Sequence, residues 1–359
     1  MDIKQLFRIM IDKKASDLFV SAKSLPRARI NGVVKIISEE MISEEQMDQI
    51  AATVLNNEER KKLFHFNKDI DFIYNEPEVG RFRINLSIER GHPAVVARHI
   101  KTSVESFEYL KLPVDLLKTF CEESSGLVIL SGPAGSGKST TIASMIDYIN
   151  NNSEKHIVTI EDPIEFIFAD KKSMINQREL GTDVHSYPAA LKHVTQQSAD
   201  IIYIGTIRDV DTMRAAITAT ELGSFVLTTF HTVNAVQAIT RIVNFFPPYL
   251  HEELRMQLAI ILKGVISLRL IPLKDGSGRV PAYETMVVTP TISRLIREGK
   301  INEIQKFIDE GELYGMQSFK KSLVHLVKEE YVDEEDARRF ADSKDEFNLE
   351  LKGLKRYHK

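Results

Sequence analysis

One stretch, residues 126–140 with the sequence GLVILSGPAGSGKST, constrains the fold more than any other. An apolar run leads into the spacing G-x-x-x-x-G-K-[ST], and a helical pattern follows it. In such a loop, successive backbone N–H groups turn inward onto a phosphate at a helix N-terminus. We therefore predict a nucleotide-binding loop formed by Gly132, Pro133, Ala134, Gly135, Ser136, Gly137, Lys138, Ser139 and Thr140.

Two side chains of this loop have predicted chemical roles. Lys138 is expected to reach the β- and γ-phosphates of ATP, and the Ser139 hydroxyl is expected to ligate Mg²⁺. The alternative is a glycine-rich turn that binds no nucleotide, and the strand–loop–helix context disfavours it.

Apolar runs that alternate with helical patterns predict a parallel α/β sheet, and polar side chains follow these runs. Ligands of such sheets bind beyond the carboxyl ends of the strands. The run HIVTIEDPIEF ends in Glu161, Asp162 and Glu165, DIIYIGTIRD leads into Thr206, and SFVLTTFHT leads into His231. We expect these side chains to lie at one edge of the sheet, together with the phosphate-binding loop.

The carboxylates and the histidine each have two interpretations. A carboxylate that orients or deprotonates water is the usual hydrolytic partner of a phosphate-binding loop. The alternative for Glu161, Asp162 and Glu165 is a solvated cluster that caps a helix. His231 either contacts the γ-phosphate or is a structural histidine. The sequence alone leaves both alternatives open.

The 359 residues are enough for two domains. Residues 1–100 predict an α+β domain, with a hairpin turn at Asn31-Gly32 and a helix opened by a capping box of Ser43 and Gln46. We predict a linker over residues 101–114, with a short helix starting near Pro113. Residues 115–289 predict the α/β nucleotide-binding core, and residues 290–359 a helical, charge-rich region.

Composition excludes several classes of protein. The formal net charge of −4 gives no general attraction to polyanions, so nucleic acid is not an expected partner. The single Cys121 cannot form an internal disulfide, which fits a reducing compartment. The most apolar stretch, residues 258–268, is too short to span a bilayer and is interrupted by Lys263. We expect a cytoplasmic protein that reaches the membrane only through a partner.

Several segments together resemble one known family. They are KKASDLFVSA, GRFRIN, GPAGSGKSTT, TIEDPIEF, INQREL, RIVNFFP and TPTISRLIRE, and they cover nearly the whole chain. This combination resembles the PilT/PilU type IV pilus retraction ATPases of the secretion ATPase superfamily. The resemblance implies a RecA-like P-loop ATPase core with an N-terminal PAS-like α+β domain and a helical C-terminal region. It also implies a homo-hexameric ring at the cytoplasmic face of the inner membrane, where it turns the pilus platform protein and depolymerises pilin.

The resemblance also implies roles for individual residues. Glu165 matches the catalytic glutamate of the family's acidic box, with Glu161 beside it. Arg81, Arg83 and Arg98 match arginines that lie near the nucleotide in such rings, some of them reaching across the subunit boundary. From spacing alone, these arginines are equally well explained as solvated strand residues. The segment TISRLIRE resembles the C-terminal retraction motif, where Arg294, Leu295 and Arg297 are expected to affect work output.

The chain departs from the family pattern around the predicted pocket. The family strand ends in Gly-Glu, whereas this chain has Gly205-Thr206. Residues 221–224 read ELGS where the family has ETGH, and Thr228 replaces a glycine. Removing an oriented carboxylate costs several kcal/mol of transition-state stabilisation, so we expect hydrolysis slowed by about two to four orders of magnitude. Nucleotide binding should survive.

Two neighbouring carboxylates are candidate replacements for the missing glutamate. Asp200 precedes Thr206 by a strand of roughly 20 Å, which places it at the wrong edge of the sheet. Asp209 could fold back if the following turn is tight, and the Thr206 hydroxyl could hold a magnesium-bound water. Glu165 is the residue that we expect to carry hydrolysis.

Two functions of different classes follow. The first is a working motor ATPase with a rearranged magnesium site. The second is a hydrolysis-impaired accessory ring protein that works with an active, related retraction ATPase. A nucleic-acid translocase is a more distant third, and the net negative charge counts against it.

Overall fold

The computed structural model describes residues 1–100 and 103–353 of the chain. The chain divides into two compact units, Met1–Thr102 and Ser103–Lys359. The first two residues of the predicted linker, 101 and 102, lie outside the described residues. The boundaries predicted at residues 115 and 290 fall inside the second unit and stay predictions.

The first unit is an α+β fold built on a six-stranded sheet in the order β3-β2-β1-β6-β5-β4. Every neighbouring pair of strands in it is antiparallel. Its elements are α1 (Ile3–Asp12), β1 (Asp17–Ser21), β2 (Arg27–Ile30), β3 (Val33–Ile36), α2 (Glu44–Val54), α3 (Glu58–Asn67), β4 (Asp69–Glu76), β5 (Gly80–Glu89) and β6 (His92–Ile100).

Local sequence signals explain most of this unit. Asn31 and Gly32 both have positive φ, 51° and 84°, as the predicted two-residue hairpin turn requires. Ser43 accepts from the Gln46 amide, and the Gln46 side chain accepts in return from the Ser43 amide, which confirms the capping box. Strand β6 pairs with β5 across a second turn at Arg90-Gly91, where both residues have positive φ.

The second unit contains a seven-stranded sheet in the order β13-β12-β7-β11-β10-β8-β9. Its strands are β7 (Gly126–Ser131), β8 (His156–Glu161), β9 (Met174–Glu179), β10 (Ile201–Ile204), β11 (Phe225–Phe230), β12 (Leu262–Pro272) and β13 (Arg279–Val287). Its helices are α4 (Val114–Cys121), α5 (Lys138–Asn152), α6 (Tyr187–Val194), α7 (Val210–Glu221), α8 (Ala235–Phe245), α9 (His251–Ile261), α10 (Pro290–Glu298), α11 (Ile304–Glu310), α12 (Phe319–Lys328), α13 (Glu334–Phe340) and α14 (Lys344–Leu351).

The centre of this sheet is parallel, as predicted, and it places four strand ends side by side. Strands β12, β7, β11, β10, β8 and β9 pair in parallel, and only the edge strand β13 is antiparallel. Every residue of β7, β10 and β11 is buried. Each fully buried large aliphatic side chain in such a strand stabilises the fold by about 1.5–3 kcal/mol. The carboxyl ends of β7, β11, β10 and β8 therefore lie side by side at one edge of a well-packed sheet.

The described residues from Pro290 to 353 include helices α10 to α14, in agreement with the helical pattern of the sequence. In α10, the apolar stripe of Ile292, Leu295 and Ile296 is buried, whereas Arg294 and Arg297 are exposed. Among the described residues, no helix is both long and apolar enough to cross a bilayer.

Candidate active site

The phosphate-binding loop has the backbone that its glycines permit. Gly132 has φ of 143°, and a Cβ placed on it would lie 2.5 Å from both the Leu268 carbonyl oxygen and Ser136 Oγ. Gly135 and Gly137 have φ of 73° and 97°, in the left-handed region that favours glycine. The buried Ser136 hydroxyl has no hydrogen-bond partner among the described residues. This tight loop opens directly into α5, so it fits a phosphate at the helix N-terminus.

Lys138 lies inside the loop. Its side-chain Nζ donates to the carbonyl oxygens of Gly132 at 2.7 Å and Pro133 at 2.8 Å. Burial lowers the pKa of Lys138 to about 8, and the nearby negative charge of Glu165 partly opposes this change. The ammonium group is thus held where it can exchange loop carbonyls for phosphate oxygens, as the sequence predicts.

The three carboxylates at the end of β8 have different surroundings. Glu161, the last residue of β8, is 5% exposed and accepts hydrogen bonds from Thr159 Oγ1 at 2.7 Å and Gln177 Nε2 at 3.3 Å. Burial raises its pKa to about 7, although these two hydrogen bonds act in the opposite direction. Asp162 and Glu165 are exposed. A wholly solvated cluster therefore does not describe the group, because Glu161 is buried.

Two residues of β9 hold the loop that carries Glu165. The Gln177 side chain donates to the Phe166 carbonyl oxygen at 2.8 Å and accepts from the Phe168 amide at 3.0 Å. Glu179 accepts from the Ile164 amide at 3.1 Å. These contacts give the NQRE segment a physical role, since it fixes the backbone on both sides of Glu165.

At the end of β10, Thr206 is partly buried and bonded to a neighbouring strand. Its Oγ1 lies 2.9 Å from Thr229 Oγ1, and Thr229 in turn donates to the Gly205 carbonyl oxygen. Thr228, another departure from the family pattern, is fully buried and donates to the Ile204 carbonyl oxygen at 3.0 Å. Thr228 and Thr229 on β11 thus form side-chain hydrogen bonds with the end of β10. These bonds surround Thr206, which stands where the family has a glutamate.

Neither neighbouring aspartate replaces the missing carboxylate. The Asp200 carboxylate accepts from the His156 amide at 2.9 Å, at the opposite end of β8 and β10. Asp209 caps α7 instead of folding back. It accepts from the Thr212 amide and the Thr212 hydroxyl, both at 2.8 Å. Both carboxylates therefore have structural partners away from Thr206.

His231 follows β11 and faces the phosphate-binding loop. The Gly132 backbone lies near its ring and acts to raise the pKa of the imidazole, but larger effects oppose this. Partial burial, together with the positive charges of Lys138 and Arg208, lowers the pKa of His231. The imidazole is consequently neutral at neutral pH, and it can donate a hydrogen bond without adding charge. His231 lies directly after β11, at the carboxyl edge of the sheet where the sequence predicted it.

Two further residues near the site were missed by sequence reasoning. Tyr187, at the start of α6, places its hydroxyl 3.1 Å from the position that a Cβ on Gly205 would occupy. Glu284 on β13 is 2% exposed and accepts from the Ala235 amide at 3.0 Å and from Gln305 Nε2 at 3.2 Å. Glu284 thereby fixes the start of α8, the helix that follows His231. Neither residue belongs to a strand-end run, so the pattern that found the others did not include them.

The three predicted arginines belong to the first unit. Arg81 and Arg83 lie on β5, and Arg98 lies on β6 directly opposite Arg83. Arg98 forms a two-pronged contact with Asp17 Oδ1 at 2.8 and 2.9 Å, and Arg83 Nε lies 3.4 Å from Asp71 Oδ1. A role for Arg81, Arg83 and Arg98 toward the nucleotide stays a prediction.

The pKa of Glu161 gives a prediction about stability. Because burial raises that pKa from 4.5 to about 7, the folded state gains a proton-linked stability that is complete below pH 4.5 and is lost as the pH rises through 7. Glu161→Gln should therefore become more stable relative to the unmodified chain as the pH rises, by on the order of 3 kcal/mol between pH 4.5 and 8. Urea unfolding of the full chain at several pH values measures this difference.

The exposed Glu154 provides the matched control. Glu154→Gln should follow the unmodified chain within about 0.5 kcal/mol across the same pH range. A Glu161→Gln difference that does not change with pH would show that Glu161 is not held in a proton-binding environment.

Taken together, a phosphate-binding loop, a buried lysine, acidic groups and a histidine at one edge of a parallel sheet define a P-loop ATPase site. A family model described as "Type II/IV secretion system protein" matches residues 2–335. The chain is 37% identical over 352 residues to the type IV pilus ATPase PilU of Pseudomonas aeruginosa, covering 98% of this chain and 92% of that protein. It is 38% identical to PilT, a type IV pilus retraction ATPase of the same organism, covering 94% and 97%.

A crystal structure of the pilus retraction motor PilT with bound ADP superimposes on this chain with a TM-score of 0.86. It is 38% identical, and the match covers 96% of this chain and 98% of that one. The chain belongs to the type II/IV secretion system protein family, in the group of pilus ATPases that includes PilT and PilU. The RecA-like fold and the nucleotide-binding function predicted from the sequence are thereby confirmed.

Proposed function

We propose that the chain is an ATP-driven hexameric motor of a type IV pilus system, which powers pilus retraction by hydrolysing ATP. The observation that carries this proposal is the complete phosphate-binding loop with Lys138 held inside it. Glu165 is close enough to this lysine for its negative charge to raise the pKa of Lys138. PilT and PilU, which this chain resembles along almost its whole length, are pilus ATPases.

In this proposal each side chain has one task. The loop amides and Lys138 would bind the β- and γ-phosphates, and the Ser139 hydroxyl at the start of α5 would hold Mg²⁺. When bound, Mg²⁺ neutralises charge on the β- and γ-phosphate oxygens. Glu165 orients and deprotonates the attacking water, since its loop is fixed on both sides by Gln177 and Glu179.

The remaining groups adjust the charge around the reacting phosphate. Glu161 lies beside Glu165 and repels its charge, and His231 offers a neutral donor close to Lys138. Thr206 supplies a hydroxyl where the family has a carboxylate, so it can orient a water but cannot take its proton. The proposal therefore assigns hydrolysis to Glu165, at a rate lower than that of a site with two carboxylates.

The assembly and its partners belong to the same proposal. A homo-hexameric ring would bring Arg81, Arg83 or Arg98 of one subunit to the nucleotide of its neighbour, where arginine stabilises transition-state charge. The ring would act at the cytoplasmic face of the inner membrane by binding the pilus platform protein. The family resemblance supports this arrangement.

The accessory function is the competing proposal, and Thr206 is the observation behind it. Identity to PilU and PilT is nearly equal, at 37% and 38%, so similarity does not favour the accessory function over the motor. A piliated bacterium that lacks its own retraction ATPases separates the two. A motor restores pilus shortening when expressed alone, and its Lys138→Ala variant does not. Shortening that appears only with an added active retraction ATPase would overturn the motor function.

A further inference from the structure

Three hydroxyl groups meet at the carboxyl end of β10, from Tyr187, Thr206 and Thr229. Thr229 donates its only proton to the Gly205 carbonyl oxygen, so the bond between Thr206 Oγ1 and Thr229 Oγ1 takes its proton from Thr206. The Thr206 oxygen is left with acceptor lone pairs alone. The direction of these bonds therefore makes Thr206 a group that accepts a hydrogen bond from water.

Tyr187 approaches the same turn from α6. Its hydroxyl lies 3.1 Å from the position that a Cβ on Gly205 would occupy, and the adjacent Thr206 backbone acts to lower the pKa of this hydroxyl. The ring of Tyr187 packs against the apolar core of the sheet, which fixes the side chain from below. The turn at residues 205–206 is thus bonded to Thr229 on one side and packed against the Tyr187 hydroxyl on the other side.

The Tyr187 hydroxyl keeps its proton at working pH. Burial raises its pKa to about 12, and the negative charge of Asp162 acts in the same direction. Arg208, which is also close, opposes this effect. A neutral phenol cannot replace the negative charge of the family's glutamate, so its contribution must be geometric.

We propose that Tyr187 is a positioning residue for ATP hydrolysis, whose hydroxyl holds the Thr206 amide so that Thr206 Oγ1 stays aimed at a water beside the γ-phosphate. This inference rests on the proposed ATPase function. With no carboxylate at residue 206, the Thr206 hydroxyl must help Glu165 to orient that water, and small displacements of such a group lower the rate steeply. Tyr187 therefore acts through Thr206 and does not touch the substrate.

Tyr187→Phe tests this role, because it retains the ring and removes only the hydroxyl. Hydrogen–deuterium exchange of the full chain should show the Thr206 amide exchanging at least about fivefold faster in the variant. The kcat for ATP should fall about tenfold, whereas the Kd for ATP changes less than about twofold. Tyr249→Phe, at a tyrosine that is 82% exposed, should change none of these quantities.

A second background separates positioning from general stabilisation. In Thr206→Val, no hydroxyl is left to aim, so adding Tyr187→Phe should lower kcat no further. An equal fall in both backgrounds, or an unchanged exchange rate at Thr206, overturns the proposal. Exchange does not depend on turnover. If the unmodified chain hydrolyses no ATP, the proposed function fails, and the exchange rate alone still decides whether Tyr187 holds the turn.

Discussion

Lys138→Ala is expected to lower kcat/KM for ATP by at least about a thousandfold and to weaken ATP binding by about tenfold to a hundredfold. The reason is the position of the ammonium group, which is buried in the loop and bonded to the Gly132 and Pro133 carbonyls. The neighbouring Arg208 is not placed in the same way, because it is exposed and its guanidinium lies 4.0 Å from the Asp162 carboxylate.

Calorimetric titration with ATP and Mg²⁺, followed by phosphate-release kinetics, measures both effects. Lys172→Ala, at an exposed lysine beyond α5, is the matched control and should leave both quantities unchanged. Since burial lowers the pKa of Lys138 to about 8, the unmodified chain should bind ATP more weakly above pH 8, and Lys138→Ala should lose that dependence. Equal activity of Lys138→Ala and the unmodified chain would remove the loop from the mechanism.

Thr206→Glu is expected to raise kcat by about a hundredfold or more, with little change in ATP affinity. The substitution restores a carboxylate at the end of β10, on the strand adjacent to the one that ends in Glu161. Thr206 now lies 2.9 Å from the Thr229 hydroxyl, which can bond the new carboxylate by turning its proton away from the Gly205 carbonyl oxygen. The new carboxylate would give the site the second acidic group that the family has at this position.

Thr206→Gln is the control for this gain, because it has the size of glutamate without its charge. It should hydrolyse ATP no faster than the unmodified chain. A Thr206→Glu variant that is no faster than Thr206→Gln would mean that residue 206 does not limit turnover, and that Thr228 and the other departures have reorganised the site around a different chemistry.

Sequence patterns predicted which residues follow the strands and therefore lie at the edge of the sheet that carries the site. The phosphate-binding loop is a local motif, and the rule about carboxyl ends correctly placed Glu161, Thr206 and His231 at one edge of the parallel sheet. Distance along the strand was also sufficient to exclude Asp200. These predictions succeeded because each depends on periodicity and order along the chain.

The remaining features depend on contacts between distant segments. Glu161 is buried whereas its neighbour Glu165 is exposed, and the sequence does not show this difference. The hydrogen bonds that Glu161 accepts come from Thr159 and from Gln177, which lies on another strand. Tyr187 reaches the site from a helix start, so no strand pattern includes it. The antiparallel pairing of the edge strand β13 with β12 likewise depends on contacts across the sheet that no local pattern specifies.

Steady-state phosphate release by the full chain, at saturating ATP and Mg²⁺, tests the central claim most directly when Glu165→Gln is measured beside it. The claim is that this P-loop ATPase hydrolyses ATP through Glu165 without a carboxylate at residue 206. We expect slow but measurable turnover in the unmodified chain, a further fall of at least about a hundredfold in Glu165→Gln, and unchanged ATP affinity in that variant. Equal rates for the two proteins would contradict it.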